Sequence, residues 1–246
     1  CPADDRKSLR SASQRKAMKR FPALYLLTIF LLLPAFPILA QSDKQVNSHS
    51  FTYQYLTTKE GLSNQRVFSI LEDKKGFIWI STRSGVDCFN GRTVKNYSLF
   101  GEDIIVDGAG RMIYLTKDSH ETLWAYTSAG KVFKYDPIFD AFTLEIDVAE
   151  LTESGILLNN LFIDSSDRFW FGLKNGLFCY DSTNRHIENI LEKKCINTIH
   201  FSPSDETLYI ATTEGLYKRN QQNGTITTLL PECYIQSVFY DPATHL

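Results

Sequence analysis

The sequence predicts an all-β fold built from repeated four-stranded sheets, and three observations lead to this prediction. A motif centred on an aromatic residue recurs along the chain with fixed flanking residues. The segments around it are short, rich in aromatic and β-branched residues, and separated by turn-forming residues. No window after Ala40 keeps apolar residues at helical spacing over three turns, although the irregular segment 148–160 could hold one short helical turn. The 43% hydrophobic content supplies a sizeable core and argues against a disordered chain.

The repeated motif has an aspartate six residues before a tryptophan and a glycine six residues after it. The fourth copy has Tyr209 at the tryptophan position and Pro203 at the aspartate position. The central residues follow at intervals of 45, 46 and 39 residues, which is typical of four-stranded propeller blades. We therefore expect a partial β-propeller with four complete four-stranded blades and the first strand of a fifth, preceded by a signal peptide. The motif residues are Asp73, Trp79 and Gly85; Asp118, Trp124 and Gly130; Asp164, Trp170 and Gly176; and Tyr209 and Gly215.

Each element of a predicted blade has a physical reason. An apolar run forms the inner strand, Asp, Ser and Gly form the tight turn after it, and the tryptophan lies in the second strand. The motif glycine supplies the positive φ that the next turn needs, and a third strand and a more polar outer strand follow. In the first copy these elements are the inner strand 67–71, the turn 73–76, the strand around Trp79, the turn 82–85, the third strand 86–89 and the outer strand 93–99.

The motif residues are predicted to have structural roles. Each aspartate is expected to accept backbone N–H groups of its own turn, and metal binding is the alternative that the few neighbouring acidic residues disfavour. The tryptophans are expected to fill the gap between neighbouring blades. The four cysteines of the predicted mature chain are interpreted as small buried residues, with a Cys195–Cys233 disulfide as the open alternative.

The first 40 residues are predicted to lie outside the folded domain. Residues 18–40 combine a basic start, an apolar run and a small residue before a polar one, which is typical of a secretory signal peptide. A membrane anchor is the alternative, because the apolar segment reaches about 20 residues, but three prolines interrupt it. Residues 1–17 are interpreted as an upstream segment outside the native structure, and 41–66 as a leader with a strand at 51–56.

The predicted propeller occupies residues 67–246. Its blades are expected at about 67–100, 111–147, 159–191 and 195–230, with a partial blade at 234–246. The inner strand of that partial blade begins at Tyr234, and the position equivalent to the motif tryptophan falls beyond the last residue. The sequence is therefore interpreted as the N-terminal fragment of a longer protein.

Composition and motifs disfavour several classes of function. The formal net charge of −2, from 26 basic and 28 acidic residues, argues against a nucleic-acid-binding protein. The five histidines are scattered, and the chain has no H-E-x-x-H, C-x-x-C, G-x-S-x-G or P-loop motif. We therefore predict no catalytic residue, no cofactor and no metal site in this chain.

Residues 55–63, 67–82 and 85–91 resemble the two-component regulator propeller repeat. They include Glu-Gly-Leu-Ser in the leader, Asp-Lys-Lys-Gly in the first turn and Phe-Ile-Trp-Ile in the strand that follows. The resemblance extends over 51–246, with looser later copies. The chain resembles the start of the periplasmic sensor region of hybrid two-component system histidine kinases from Bacteroidetes.

The resemblance implies an exported, periplasmic sensor module that binds glycan-derived oligosaccharides. It also implies a homodimeric full-length protein anchored in the inner membrane, whose further blades, membrane helix and kinase domains lie outside this chain. On this interpretation the chain itself is not an enzyme. A secreted propeller enzyme acting on glycans and a propeller scaffold for protein interactions are the alternatives.

The candidate ligand-binding residues lie in loops between the second and third strands of the predicted blades. Polar side chains at this end of the sheets could form hydrogen bonds with sugar hydroxyls. The alternative is that they are ordinary solvated turn residues. The candidates are Arg83, Lys174, Asn175 and Glu214.

Overall fold

The computed structural model describes residues 53–99, 112–152 and 157–239, which form four antiparallel sheets. Blade 1 contains β1 (Val67–Glu72), β2 (Ile78–Thr82), β3 (Gly85–Phe89) and β4 (Val94–Tyr97). Blade 2 contains β5 (Ile113–Lys117), β6 (Leu123–Thr127), β7 (Lys131–Asp136) and β8 (Ala141–Asp147). Blade 3 contains β9 (Leu158–Ile163), β10 (Arg168–Leu173), β11 (Gly176–Asp181) and β12 (His186–Glu192). Blade 4 contains β13 (Ile196–Ser202), β14 (Thr207–Thr212), β15 (Gly215–Asn220) and β16 (Ile226–Pro231).

The strands of each blade pair in sequence order, and every pair is antiparallel. The first strands of successive blades pack together, β1 on β5, β5 on β9 and β9 on β13, so these are the inner strands. The prediction of an all-β propeller with four complete four-stranded blades is confirmed. Helix α1 (Val148–Thr152) connects β8 to β9 and supplies the short helical turn expected within 148–160.

The hydrophobic core consists of three clusters, one at each junction between neighbouring blades. Trp79, Trp124 and Trp170 lie in these clusters with 3%, 6% and 0% of their surface exposed. The second strands of blades 2 and 3 are buried nearly throughout, because a neighbouring blade covers each face of these two sheets. The tryptophans therefore pack between blades.

The motif aspartate connects its turn to the tryptophan. Asp73 Oδ1 accepts the backbone N–H groups of Lys75 and Phe77 at 2.8 and 3.0 Å, and its Oδ2 accepts the indole Nε1–H of Trp79 at 2.9 Å. Asp118 and Asp164 make the same set of bonds, with indole distances of 3.0 and 2.9 Å. One carboxylate thus satisfies three donors and fixes the tryptophan ring.

The fourth blade replaces this arrangement with a weaker one. The Tyr209 hydroxyl donates to Asp205 Oδ2 at 3.3 Å, and Pro203 occupies the aspartate position. A proline at that place offers no side-chain acceptor to the turn or to the aromatic residue.

The motif glycines Gly85, Gly130 and Gly215 have a positive φ as predicted, and Gly85, Gly176 and Gly215 lie where a Cβ would meet a backbone carbonyl oxygen. A Cβ at Gly85 would lie 2.3 Å from the carbonyl oxygen of Tyr97, and one at Gly215 would lie 2.6 Å from that of Leu230. Both glycines also have a positive φ, of 151° and 153°. The expectation of a positive φ is wrong for Gly176, where the requirement is space, because a Cβ would meet the Leu191 carbonyl oxygen at 3.0 Å.

Two predicted strands are not formed among the described residues. Residues 53–56 of the expected 51–56 strand have no strand conformation, and 51–52 lie outside the described residues. The expected inner strand that begins at Tyr234 is also absent through Phe239. Residues 233–239 instead contact blade 4, where Ile235 N–H donates to the Thr212 carbonyl oxygen and Val238 N–H donates to Thr198 Oγ1. Alternating apolar residues form a strand only where a ladder partner is available, and none is paired with these segments in the described part of the chain.

The four cysteines of the described region are all free thiols. Cys88 and Cys179 are buried as predicted, and burial raises the pKa of each thiol to about 11, so both are poor nucleophiles at neutral pH. The burial prediction is wrong for Cys195, which is partly exposed, and for Cys233, which is exposed.

The predicted signal peptide at 18–40 and its membrane-anchor alternative fall on residues outside those described. Across residues 53–99, 112–152 and 157–239, no helix has the length and apolar character needed to cross a membrane.

Candidate functional site

The blades present two different ends. The loop face carries the loops between second and third strands, such as 83–84 and 174–175. The turn face carries the aspartate turns between first and second strands and the turns between third and fourth strands. Because every blade is an antiparallel meander, equivalent connections of all four blades lie at the same end.

The predicted ligand-binding residues lie on the loop face and remain dispersed there. Arg83 belongs to blade 1, Lys174 and Asn175 to blade 3, and Glu214 to blade 4, and all four are exposed. Glu214 forms an ion pair with Lys194, which leads into β13. Lys174 and Asn175 are neighbours in one loop, the other two candidates belong to other blades, and none of the four lines the clefts described next.

Three clefts open on the turn face, one between each pair of neighbouring blades. Their volumes are about 600 Å³ between blades 1 and 2, 660 Å³ between blades 2 and 3, and 380 Å³ between blades 3 and 4. These volumes lie in or near the range of small-molecule sites. These three clefts therefore lie at the opposite end of the blades from the residues that the sequence singled out.

The first two clefts form one groove across blade 2, which we name the blade 2 groove. The clefts share four lining residues that all belong to blade 2: His120, Thr122, Lys134 and Glu145. A surface lined by residues of three consecutive blades, with its centre on blade 2, suits an elongated ligand better than a compact one.

Aromatic side chains from both interblade clusters line the blade 2 groove. Trp79 and Tyr135 line its blade 1 side, where their ring centroids lie 4.8 Å apart. Trp124, Phe169 and Tyr180 line the blade 3 side, and the rings of Trp124 and Phe169 meet edge to face at 5.2 Å. Trp79, Trp124, Phe169 and Tyr180 are themselves buried between blades, so they form a rigid base beneath the polar groups of the groove.

The polar side chains of the groove differ in how many hydrogen bonds and ion pairs they already make within the protein. Asp73 and Asp118 already accept hydrogen bonds from the backbone of their own turns and from the tryptophan indoles. Burial alone would raise the pKa of these carboxyls, but the hydrogen bonds outweigh it, so the pKa of both is lowered. His120 Nδ1 lies 3.6 Å from Asp167 Oδ1 across the junction of blades 2 and 3. Lys134 Nζ lies 5.4 Å from the Trp124 ring centroid, and Glu145 accepts a bond from Thr143. Lys134 and Glu145 are exposed at the centre of the groove and can bind further partners.

The described residues hold no cluster of three or more His, Cys, Asp or Glu side chains placed to bind a metal ion. The arrangement offers hydrogen bonds and ring surfaces, which suit binding.

Sequence reasoning missed both the indole–aspartate bond and the groove. The constant six-residue offset between aspartate and tryptophan was the available signal for the bond. The groove had a weaker signal, in the polar residues that cluster at the turns of blades 1 and 2, such as Lys74, Lys75 and His120.

Comparison with known proteins places this repeat in a described family. Residues 61–84, which include the end of the leader, β1 and β2, match the two-component regulator propeller family. This segment of the chain is therefore similar to the repeat of that family. In the structure, Ser63 of this repeat is held on blade 1 by the buried Asp87, whose Oδ2 accepts both the backbone N–H and the hydroxyl of Ser63 at 2.9 Å.

One curated relative is a histidine kinase, named Histidine kinase P4, from Formosa agariphila. It is 41% identical over 68 residues, which are 28% of this chain and 5% of that protein. The chain thus matches a small part of a much longer histidine kinase.

Similar solved structures include extracellular domains of putative hybrid two-component systems from Bacteroides thetaiotaomicron. One of them is 16% identical, with 79% of this chain and 37% of that chain covered and a TM-score of 0.42. A virginiamycin B lyase from Staphylococcus aureus is 17% identical, with 69% of this chain and 57% of that chain covered and a TM-score of 0.54. At this level of identity the lyase shows the propeller fold alone.

Proposed function

We propose that the chain is the ligand-binding propeller of an extracytoplasmic sensor in a two-component system. The observation that supports this proposal is the match of residues 61–84 to the two-component regulator propeller family, together with the similarity of part of the chain to a histidine kinase. The full-length protein is proposed to be exported, anchored in the inner membrane and homodimeric. No chemical step is assigned to any residue of this chain.

The proposed ligand is a glycan-derived oligosaccharide bound in the blade 2 groove. The groove extends over residues of three blades, and the exposed side chains of Lys134 and Glu145 can form hydrogen bonds with sugar hydroxyls. The loop-face residues Arg83, Lys174 and Asn175, with Glu214, remain a second proposed surface.

Isothermal titration of the chain with size-defined oligosaccharide digests tests this proposal. Lys134→Gln and Glu145→Gln are exposed substitutions that should preserve folding, and each is expected to weaken oligosaccharide binding at least tenfold. A combined Arg83→Ala and Lys174→Ala variant should bind as the unchanged chain does. Weakened binding only in the loop-face variant would move the site to the loop face, and no saturable binding of any digest would reject the oligosaccharide proposal.

A further inference from the structure

The turn between the third and fourth strands of blade 2 differs from the equivalent turns of the other three blades. Those turns contain only polar residues and glycine, and they are 90–93, 182–185 and 221–225. In blade 2, Pro137, Ile138 and Phe139 occupy this place between β7 and β8. The side chains of Ile138 and Phe139 are exposed over 86% and 78% of their surface, and we name this pair the apolar tip.

The apolar tip does not stabilise the fold by burial. Apolar side chains contribute to stability in proportion to the surface that they remove from water, and here most of that surface stays in water. Single exposed apolar residues are common on protein surfaces, so exposure alone does not indicate a binding surface. The rigidity of the turn and its position beside the blade 2 groove are the observations that do.

Hydrogen bonds hold the apolar tip in one place. Asp136 Oδ1 accepts the backbone N–H groups of Ile138 and Phe139 at 2.7 and 3.2 Å. On the other side of the tip, Asp140 Oδ1 accepts the hydroxyl of Tyr97, which belongs to blade 1, at 2.7 Å. The turn is therefore fixed before and after the two exposed side chains. A ligand that contacts them does not have to order the turn, which lowers the cost of binding.

The apolar tip lies in the part of the blade 2 groove that adjoins blade 1. Ile138 and Pro137 line the cleft between blades 1 and 2, and Phe139 follows directly in the chain. The exposed side chains of Lys134 and Glu145 line the same cleft. Because the tryptophan rings at the groove are buried between blades, the tip supplies exposed apolar surface that they cannot.

Exposed apolar surface beside hydrogen-bonding groups fits a sugar ring better than a protein or a membrane. A sugar ring has C–H groups on its faces and hydroxyls at its edge. Two side chains fall well short of the roughly 800 Å² that each partner buries in a stable protein interface. The residues that line this cleft carry both signs of charge, with Lys75 and Lys134 against Asp136 and Glu145, whereas an anionic membrane surface attracts clusters of basic residues.

We propose that the apolar tip packs against the face of a sugar ring bound in the blade 2 groove. Phe139 supplies a ring surface for the C–H groups of the sugar, and Ile138 extends this surface into the cleft. Lys134 and Glu145 bind hydroxyls of the same ligand. The inference rests on the proposed oligosaccharide function and adds to it that a contact with the ring face contributes to affinity.

Titration calorimetry of the chain with neutral hexasaccharides from cellulose, mannan, xylan and galactan tests the proposal. For every hexasaccharide that binds the unchanged chain, Phe139→Ser and Ile138→Ser should each weaken binding, by about tenfold for Phe139. Phe139→Trp keeps an aromatic face and should retain the affinity. Leu144→Thr is the matched control, because Leu144 is an exposed apolar residue of β8 that lines neither cleft of the groove, and it should bind unchanged.

Thermal unfolding of the same variants separates a lost contact from a damaged fold. Because both side chains of the tip are exposed, Phe139→Ser and Ile138→Ser should leave the thermal midpoint of the free chain unchanged. A clear fall of the midpoint would show that the tip is packed within the protein and would overturn the proposal.

The remaining outcomes distinguish this inference from the proposed function. If Lys134→Gln and Glu145→Gln weaken binding while the tip variants bind as the unchanged chain does, the groove stands and the contact with the tip is wrong. If no hexasaccharide binds, the oligosaccharide function and the contact both fail. Binding of vesicles of phosphatidylethanolamine and phosphatidylglycerol that is lost in Phe139→Ser would assign the tip to a membrane surface and overturn the sugar contact.

Discussion

The junction of blades 1 and 2 and the junction of blades 3 and 4 are built from the same repeat but satisfy their polar groups differently. At the first, the rings of Trp79, Tyr97, Tyr135 and Phe142 pack within about 6 Å of one another, and Asp140 accepts bonds from Tyr97, Tyr135 and Lys95. At the second, Trp170 lies against two guanidiniums, and two donors are unpaired. The comparison indicates that the polar groups of the first junction are satisfied within the protein, whereas two buried donors of the second junction are not.

The largest expected effect is loss of a tryptophan at either junction. Trp79→Ala and Trp170→Ala each remove a buried indole and should lower the free energy of unfolding by about 3–5 kcal/mol. Urea unfolding followed by circular dichroism measures this. Because two buried donors at the second junction are unpaired, the decrease in the free energy of unfolding should be smaller for Trp170→Ala than for Trp79→Ala. A larger loss at Trp170 would contradict the comparison.

Glycine substitutions test the close approach of the outer strands. Gly85→Ala should destabilise blade 1 by about 1–3 kcal/mol, because the new Cβ meets the Tyr97 carbonyl oxygen and φ is positive. Gly176→Ala should cost less, since its φ is not in the left-handed region and the nearest carbonyl oxygen is 3.0 Å from the new Cβ. Equal losses in thermal unfolding would show that φ is unimportant here.

The aspartate–indole bond should contribute less than the tryptophan itself. Asp73→Asn retains an oxygen that can accept the N–H groups of the turn, but it loses the carboxylate charge. It also directs an NH₂ group or a neutral oxygen toward the indole. The free energy of unfolding should therefore fall by about 1–3 kcal/mol. Asp205→Asn in blade 4, whose side chain is exposed, is the control and should change little. Since the pKa of Asp73 is lowered in the fold, its contribution should be present above pH 3.8 and lost as the pH falls below that value. A difference between Asp73→Asn and the unchanged chain that persisted undiminished under acid conditions would contradict this.

The smallest expected effect is at Asp140. Hydrogen bonds from Lys95, Tyr97 and Tyr135 lower the pKa of this exposed carboxyl to about 2. Its contribution should therefore be present above the ordinary value of 3.8 and disappear as the pH falls toward 2. Asp140→Asn should lower the thermal midpoint at pH 7 by less than Asp73→Asn does, and the two chains should converge in acid. A midpoint difference that grew on acidification would have the wrong sign.

Local hydrogen bonds made the blades predictable from the sequence. Asp73 and Trp79 are six residues apart because one tight turn brings the carboxylate to the indole, and the same geometry fixes the spacing in blades 2 and 3. The strands expected at 51–56 and from Tyr234 were wrong over their described residues, because alternation does not show whether a ladder partner is present.

The candidate site was less predictable because it depends on contacts between blades. Lys75, Lys134 and Arg185 line one groove although they are far apart in sequence. The loop-face residues were selected for their residue types, and nothing local indicated that the clefts open at the other end. Likewise, the sequence does not show that Arg219 lies at the junction of blades 3 and 4, because its contact there is with Trp170 of the preceding blade.

The most direct test of the binding account uses the three tryptophans of the chain as reporters. Their indole N–H groups give three cross-peaks in a ¹H–¹⁵N correlation spectrum, which single substitutions assign. Trp79 and Trp124 line the blade 2 groove and Trp170 lies outside it, so an oligosaccharide ligand should shift the first two peaks and leave the third in place. A saturating oligosaccharide that leaves Trp79 and Trp124 unmoved, or that shifts Trp170 alone, would contradict the account.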